Sequence, residues 1–455
     1  MENLVRDDSW VIKLDDELNK MKDGSVKEME QHWKRRSIYQ LSPSITELNR
    51  PAYNPQVVSF GPLHHGQPHL LPMEVHKHRA LLIFMKRSNK SVQYFMESLA
   101  PLAEDLKESY DFLDRQEHTN ELLKLLILDG CFMLEILRMS SSTEWKPWPG
   151  TSADNSFFAD YAPNDPVFSN HGRLYILPYI MQDMLLLENQ LPMMLLENLW
   201  ALQNDETMHD EFLNYHMVKL YSPGQPVPDL GKCLHLLDVY RRYLLFHVPR
   251  IRYRRQTRFH ILRENKIIHS AIELQEAGIR FETSKSTSLT DISFRSGVLR
   301  LPGILVDVTT EAMFLNLMAF ERFHVGAGNG VTAYIFFMSD MLRNARDVNL
   351  LHLQGIIQNA IGSDEDVLKL FHSLSKNVTL DPNGNLEMVQ MSVQHYCQQR
   401  RTKWRAYLTR TYFTNPWASL SLLASLFLFA LTITQTVFTV VPYFDPAPRP
   451  PPPPR

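Results

Sequence analysis

Apolar positions recur at helical spacing through most of the chain, and the rhythm lapses into Ser, Pro, Gly, Asn and Asp where loops are expected. Residues 1–35 form a polar lead-in with one helical pattern, Trp10, Leu14, Leu18 and Met21. "SIYQLSPSI" and "PQVVSFGPLHHG" read as short extended pieces, and a helical period resumes at "MEVHKHRALLIFMKRS" (Met73–Ser88). Between Ser91 and Leu137 the period is again helical. It ends in "LLKLLILDGCFMLEIL", a run apolar enough for a buried helix but too short and too charged to cross a bilayer. "DMLLLENQLPMMLLENLW" predicts a second buried helical pair broken at Pro192. Further helices are expected in "CLHLLDVYRRYLLF", "TEAMFLNLMAFERFH", "AYIFFMSDMLRNARDVNLLHLQGIIQNAI" and "SDEDVLKLFHSLS", the last with Ser363 as N-cap and Asp366 at the capping-box position. "AIELQEAGIRF" reads as a helix stopped at Gly278, and "DISFRSGVLRLPGILVD" as two short strands around Ser296-Gly297. Surface loops are placed near 140–170 and 222–265. The predicted fold class is therefore mainly α: one large helical globular domain over 36–400 with a few short strands, followed by one C-terminal transmembrane helix.

That last element stands apart from the rest. From Thr411 to Phe444 there is no Asp, Glu, Lys, Arg or His. A helix over Trp417–Val441 would be about 37 Å long, more than a hydrocarbon core of about 30 Å. A single Lys or Asp there would cost about 2.5–3.5 kcal/mol on insertion, so the absence of charge decides for a membrane span over 416–441. The anchor residues are Trp417, Leu423, Phe427, Leu431, Gln435 and Val441. A basic juxtamembrane segment, 401–415, precedes it. Arg400, Arg401, Lys403, Arg405 and Arg410 crowd that side, whereas only Arg449 and Arg455 follow in the proline-rich tail 442–455. The bias predicts a cytosolic main domain and a tail-anchored, single-pass topology. The long span favours the plasma membrane, with the endoplasmic reticulum as the alternative. Gln435, and the spacing of Ser421 with Ser425, raise self-association of the span as a further expectation, giving a homo-oligomer through the transmembrane helix.

Composition narrows the function classes. A formal charge of −3 on 455 residues gives no global pull toward nucleic acid, so any electrostatic partner must meet a local patch. Arg250, Arg252, Arg254, Arg255 and Arg258 make such a patch; it reads as a solvated linker, or as a contact for anionic lipid headgroups, ahead of RNA. Three scattered cysteines suit a reducing compartment and form no metal knuckle. No phosphate-binding glycine loop, nucleophile elbow or zinc-protease motif occurs. His64, His65, His69, His76 and His78 are the best metal candidates, but adjacent and i,i+2 positions diverge, and capping or hydrogen-bonding roles are preferred. Asp129, Glu135, Asp183 and Glu188 lie in apolar runs. They read as structural acceptors, with a perturbed acid/base set as the rival. No catalytic residue, cofactor or metal is assigned.

The chain resembles the plant family built on domain of unknown function 247. The blocks that carry the resemblance include "VVSFGPLHHG" (Val57–Gly66), "LLILDGCFMLEIL" (Leu125–Leu137), "DMLLLENQLPMMLLENL" (Asp183–Leu199), "DISFRSGVLRLPGILVDVTTEAMFLNLMAFE" (Asp291–Glu321) and "KWRAYLTRTYFTNPW" (Lys403–Trp417). The resemblance implies a plant membrane protein with one C-terminal helix and no recognised cofactor or catalytic residues. Some grass members are associated with self-incompatibility loci as pollen-side determinants, which implies recognition or signalling. The leading expectation is a non-enzymatic, membrane-anchored interaction protein with an unidentified protein partner and no nucleic acid. One alternative is a membrane-bound enzyme using Asp129, Glu188, His64 or His65. Another is a receptor whose large domain lies outside, for which "NKS" at Asn89 and "NVT" at Asn377 are glycosylation sequons.

Overall fold

The computed structural model describes residues 33–47, 49–113, 119–141, 160–205, 210–246, 269–376, 385–398 and 416–444. Residues 1–32 of the lead-in, the Arg250–Arg258 patch, the basic segment before the span and the tail beyond residue 444 lie outside the described residues, as does Asn377.

The helix Thr119–Ser141 occupies the centre, and its stretch Cys131–Met139 is buried on every side. A helix apolar all round has no face for water, so it must be enclosed. The helices Leu71–Ser88, Met193–Asn204 and Asp210–Tyr221 enclose it. Gly130 leaves room for Met193–Asn204, because a Cβ there would run into Leu199 Cδ1. Glycine inside a helix costs about 1 kcal/mol relative to alanine, and the backbone contact it allows offsets that cost. Leu71–Ser88 has Pro72 in its first turn and buries Met73, Lys77, Ala80, Phe84 and Ser88, a spacing of three and four. It stops at Asn89 in the left-handed region, φ 51°.

The pair expected over 183–200 is a single helix. Met193–Asn204 is helical with Pro192 at its N-cap, whereas Met184–Leu191 is irregular and buried. Side-chain amides explain the difference. Gln190 Nε2 donates to the carbonyls of Met184 (2.6 Å) and Leu186 (2.7 Å), and Asn189 Nδ2 donates to that of Asp183 (2.9 Å). These bonds take acceptors that a helical ladder would use. The long helix expected over 333–361 is likewise split. Asn344 caps Ala345–Leu353 by accepting from Arg346 N and Asp347 N, with Asp347 returning a bond to complete the box, and Ile357–Asn359 is a strand.

Five short strands are present among the described residues where two were expected. β1 (Arg280–Thr283) pairs in parallel with β3 (Val298–Leu301), placing Phe281 opposite Leu299. β2 (Ser293–Arg295) pairs antiparallel with β3 through Ser296-Gly297, both at positive φ, the two-residue turn that suits the twist of a hairpin. β4 (Ile304–Val306) and β5 (Ile357–Asn359) form a separate parallel pair. The loop expected over 140–170 ends inside the body: Tyr161, Val167 and Phe168 are buried, with Tyr161 stacked on Phe168 at 4.2 Å. Ser363 caps Asp364–Leu374 through a bond from Asp366 N, as its sequence predicts.

The final helix runs from Pro416 to Phe444. Within it Ser419–Val440 has a mean hydropathy of 1.9, and none of that stretch is buried inside the molecule. The contrast with Cys131–Met139 is direct: two apolar helices, one wrapped by protein and one with no protein around it.

Candidate functional site

The four carboxylates in apolar runs all engage the body of the protein. Asp183 ends the helix Leu177–Asp183 and is fully buried. It accepts from three successive backbone amides, Gln56 N (2.8 Å), Val57 N (2.7 Å) and Val58 N (2.9 Å). Two residues on, Phe60 N donates to Asn189 Oδ1 (2.6 Å), and Gly61 N donates to Asp129 Oδ2 (2.8 Å). Asp129 Oδ1 receives Lys77 Nζ at 2.7 Å, and both side chains are fully buried. Lys77 also reaches Ser59 Oγ (3.2 Å) and Glu74 (2.7 Å). Gly61 has φ 72°, and a Cβ there would lie 3.0 Å from the Tyr110 hydroxyl and 3.2 Å from Gln190 O, so the site requires glycine. Among the described residues the segment 56–61 has no partner strand; acid and amide side chains stand in for one and accept from its amides.

Glu188 holds a second segment. Its Oε1 accepts from Leu41 N at 2.6 Å, and its Oε2 lies 3.4 Å from His64 Nε2. Glu135 takes Arg87 Nη1 and the Tyr161 hydroxyl (2.8 Å), while Arg87 Nε pairs with Asp160 (2.8 Å). Burial raises the pKa of Asp129, opposed by Lys77 and the Gly61 amide; it raises that of Asp183 to about 6 against its three donors. Every one of these carboxylates thus spends its lone pairs on the fold.

Three clusters were not legible in the sequence. Arg241 Nε pairs with Glu321 Oε1 at 3.0 Å, both buried, and Glu321 accepts from Val331 N, Thr332 N and Thr332 Oγ1 at the start of the helix Gly330–Met341. Asn316, on the helix Thr310–Phe323, reaches two segments distant in sequence, accepting from Leu187 N (2.8 Å) and donating to Ala52 O (2.8 Å). His235 caps Leu236–Leu245 through Nδ1 and bonds Ser37 O through Nε2 (3.1 Å); burial lowers its pKa to about 4. Only the N-cap position of His235, just before an apolar period, carried a sequence signal, and histidine is not among the usual caps.

The histidine group does not converge. His64 is buried against Glu188 and Gln67, His69 bonds Pro55 O at 3.0 Å, His76 lies beside Arg79 and Asp165, and His65 and His78 face outward. Among the described residues no group of three or more His, Cys, Asp or Glu side chains is placed to hold a metal ion.

A cleft of about 500 Å³ lies elsewhere on the body, beside the helix Thr310–Phe323. Leu315 and Met318 contribute apolar wall; Glu311 and Arg322 bring charges of both signs; Tyr53 lines one side with its pKa pushed up to about 12 by burial. None of Asp129, Glu135, Asp183 or Glu188 lines it. Of the anchor residues, Trp417, Leu423, Phe427, Leu431 and Gln435 are exposed on the last helix; Val441 lies in the same helix, just past Val440.

A mainly helical body with an apolar core, whose buried acids and amides bond backbone, joined to a C-terminal helix apolar enough to cross a membrane, defines the class. Residues 38–431 match the DUF247 family, described as "Plant protein of unknown function", and the chain belongs to that family. It is similar to the UPF0481 protein At3g47200 of Arabidopsis thaliana, with 29% identity over 440 residues covering 90% of this chain and 87% of the relative. A shorter similarity, 28% over 180 residues, covers 39% of this chain and 34% of the putative UPF0481 protein At3g02645 of the same plant. No solved structure matches the chain significantly.

Proposed function

We propose that this chain is a single-pass, tail-anchored membrane protein whose helical body, on the cytosolic side, recognises a protein partner without catalysing a reaction. The observation that carries the reading is the helix Pro416–Phe444: the stretch Ser419–Val440 has no side chain sheltered by protein, and a helix of that hydropathy in water would expose its entire apolar surface. A bilayer supplies the missing apolar surroundings. Tethering then raises the effective concentration of the body for partners at the same surface. Support for recognition over catalysis comes from the acids, which are committed to Lys77, Arg87 and backbone amides. The cleft between Tyr53, Glu311 and Arg322 is the surface this reading assigns to the partner. The family resemblance directs that recognition toward signalling of the self-incompatibility kind, at the plasma membrane.

The test uses sealed microsomes carrying the full chain. Asn89 sits exposed at the turn after Leu71–Ser88 and is reachable by a glycosylating enzyme in the lumen. Added protease is expected to digest the body from outside the vesicles, and glycosidase is expected to leave its mass unchanged. A protease-protected body with a glycosidase-sensitive shift would place the large domain in the lumen and replace this reading with that of a receptor ectodomain.

A further inference from the structure

We propose that the membrane helix pairs, in parallel, with the same helix of a second copy along a seam that contains Gln435. The inference rests on the membrane reading above. In hydrocarbon every polar group must find a partner within the protein. The hydroxyls of the span do so internally: Ser425 Oγ donates to Ser421 O (2.8 Å), Thr432 Oγ1 to Leu428 O (2.8 Å), Thr434 Oγ1 to Ala430 O (2.9 Å), Thr436 Oγ1 to Thr432 O (2.8 Å) and Thr439 Oγ1 to Gln435 O (2.7 Å). Gln435 takes part through its backbone carbonyl, and its side-chain amide has no partner among the described residues.

Water at the nearer membrane face does not solve this. Gln435 lies five residues before Val440, about 7.5 Å below that end of the stretch. Helical side chains lean toward the helix N-terminus, so the amide points back toward the bilayer middle and away from the closer interface. It needs a protein partner at its own depth. A second copy provides one, because both chains enter the membrane in the same orientation and bring their Gln435 residues to equal depth. A primary amide carries both donor and acceptor, so two of them satisfy each other across a two-fold axis, as an isologous contact requires.

The neighbouring positions suit such a contact. At 100° per residue, Trp417, Ser421, Ala424, Leu428, Leu431 and Phe438 fall within about 60° of Gln435, and their spacing alternates between four and three. That is a left-handed packing seam in which Gln435 carries the one primary amide, and a single such group within a seam fixes register between helices. All of these side chains are exposed on the isolated helix. Ser421 and Ala424 are small, which allows close backbone approach toward the N-terminal end. Leu426 lies on the opposite face, about 180° away.

The full chain, expressed in membranes with two different tags, tests this by cysteine cross-linking under a membrane-permeant oxidant. The chain without an introduced cysteine sets the background from Cys131, Cys233 and Cys397, which are buried. Leu428→Cys is expected to form a disulfide-linked dimer carrying both tags, and Leu426→Cys is not. Adding Gln435→Leu should cut the Leu428→Cys dimer about fivefold, the effect of one interhelical hydrogen bond of roughly 1 kcal/mol, while Gln435→Asn should largely keep it. Equal cross-linking at 426 and 428, no response to Gln435→Leu, or a cross-link to a different protein would each overturn the pairing. The same samples are extracted with alkali. Release of the chain from the membrane sinks both the membrane reading and the pairing; retention without a dimer sinks the pairing alone.

Discussion

Asp183 holds a stretch of backbone that no strand pairs among the described residues. One carboxylate satisfies three consecutive amides of the segment 56–58, and Asn189 and Asp129 continue the clamp to Gly61. Asp183→Asn replaces one acceptor oxygen with a donor facing donors, and is expected to destabilise the body by about 2–4 kcal/mol, read from urea unfolding in detergent by tryptophan fluorescence. The half-exposed Asp366, which bonds the Ser363 hydroxyl and pairs with Lys369, should lose less than about 1 kcal/mol on the same change. Titration separates two buried groups by sign. His235 has its pKa lowered from 6.5 to about 4, so its contribution to stability is present above pH 6.5 and is lost as the pH falls toward 4. Asp183 has its pKa raised from 3.8 to about 6, so its contribution is present below pH 3.8 and lost as the pH rises through 6. Between pH 4 and 6 the two oppose each other. His235→Asn keeps an N-cap acceptor but removes the imidazole titration, so the variant should lose stability at pH 7 and regain ground on the wild type by up to about 3 kcal/mol as the pH falls from 6.5 to 4. A constant difference across that window would contradict the assignment of His235 as a buried neutral cap. The residue types of this network were legible in the sequence, since acids inside apolar runs must bind something. Their partners were not: Gly61 is 68 positions from Asp129 and Leu41 is 147 from Glu188, and no local pattern records a contact at that range.

Elements were read well where one face repeats and poorly where side chains compete with the backbone. Leu71–Ser88, Thr119–Ser141 and Asp364–Leu374 follow from periodicity and caps alone. The segment 184–191 was misread because its apolar content is helical in pattern while Asn189 and Gln190 draw the carbonyls away. β1 and β5 leave no periodic signal because each is three or four residues long and pairs with a strand distant in sequence, whereas β4 lies within the extended run 291–307 as a separate strand. Two changes test how elements are held. Gly130→Val drives a branched side chain into Leu199 and is expected to cost about 1–3 kcal/mol, partly recovered by Leu199→Ala in a double-mutant cycle. Phe429→Arg, in the middle of the last helix, should disfavour insertion by about 2.5–3.5 kcal/mol and move much of the chain into the soluble fraction on alkaline extraction. Failure of the arginine to release any chain would show that the bilayer is not the surroundings of Phe429.

At the scale of the whole molecule, deeply buried acidic and amide side chains serve backbone that the sheets do not pair. Extended segments at 36–41 and 55–61 run through the body with little sheet of their own, and Glu188, Asp183, Asn189 and Asp129 supply the hydrogen bonds that neighbouring strands would give. Breaking one member leaves a buried group unpaired; for Lys77 and Asp129, removing either partner is expected to cost about 3–5 kcal/mol. The cleft near Arg322 is lined by none of these four side chains. The central claim concerns the last helix, and one measurement reaches it directly: alkaline extraction of membranes from cells making the full chain, beside a chain ended after residue 415. The account predicts that the full chain stays in the membrane pellet and the shortened one is released. A full chain recovered in the supernatant, as monodisperse as the shortened one, would contradict it.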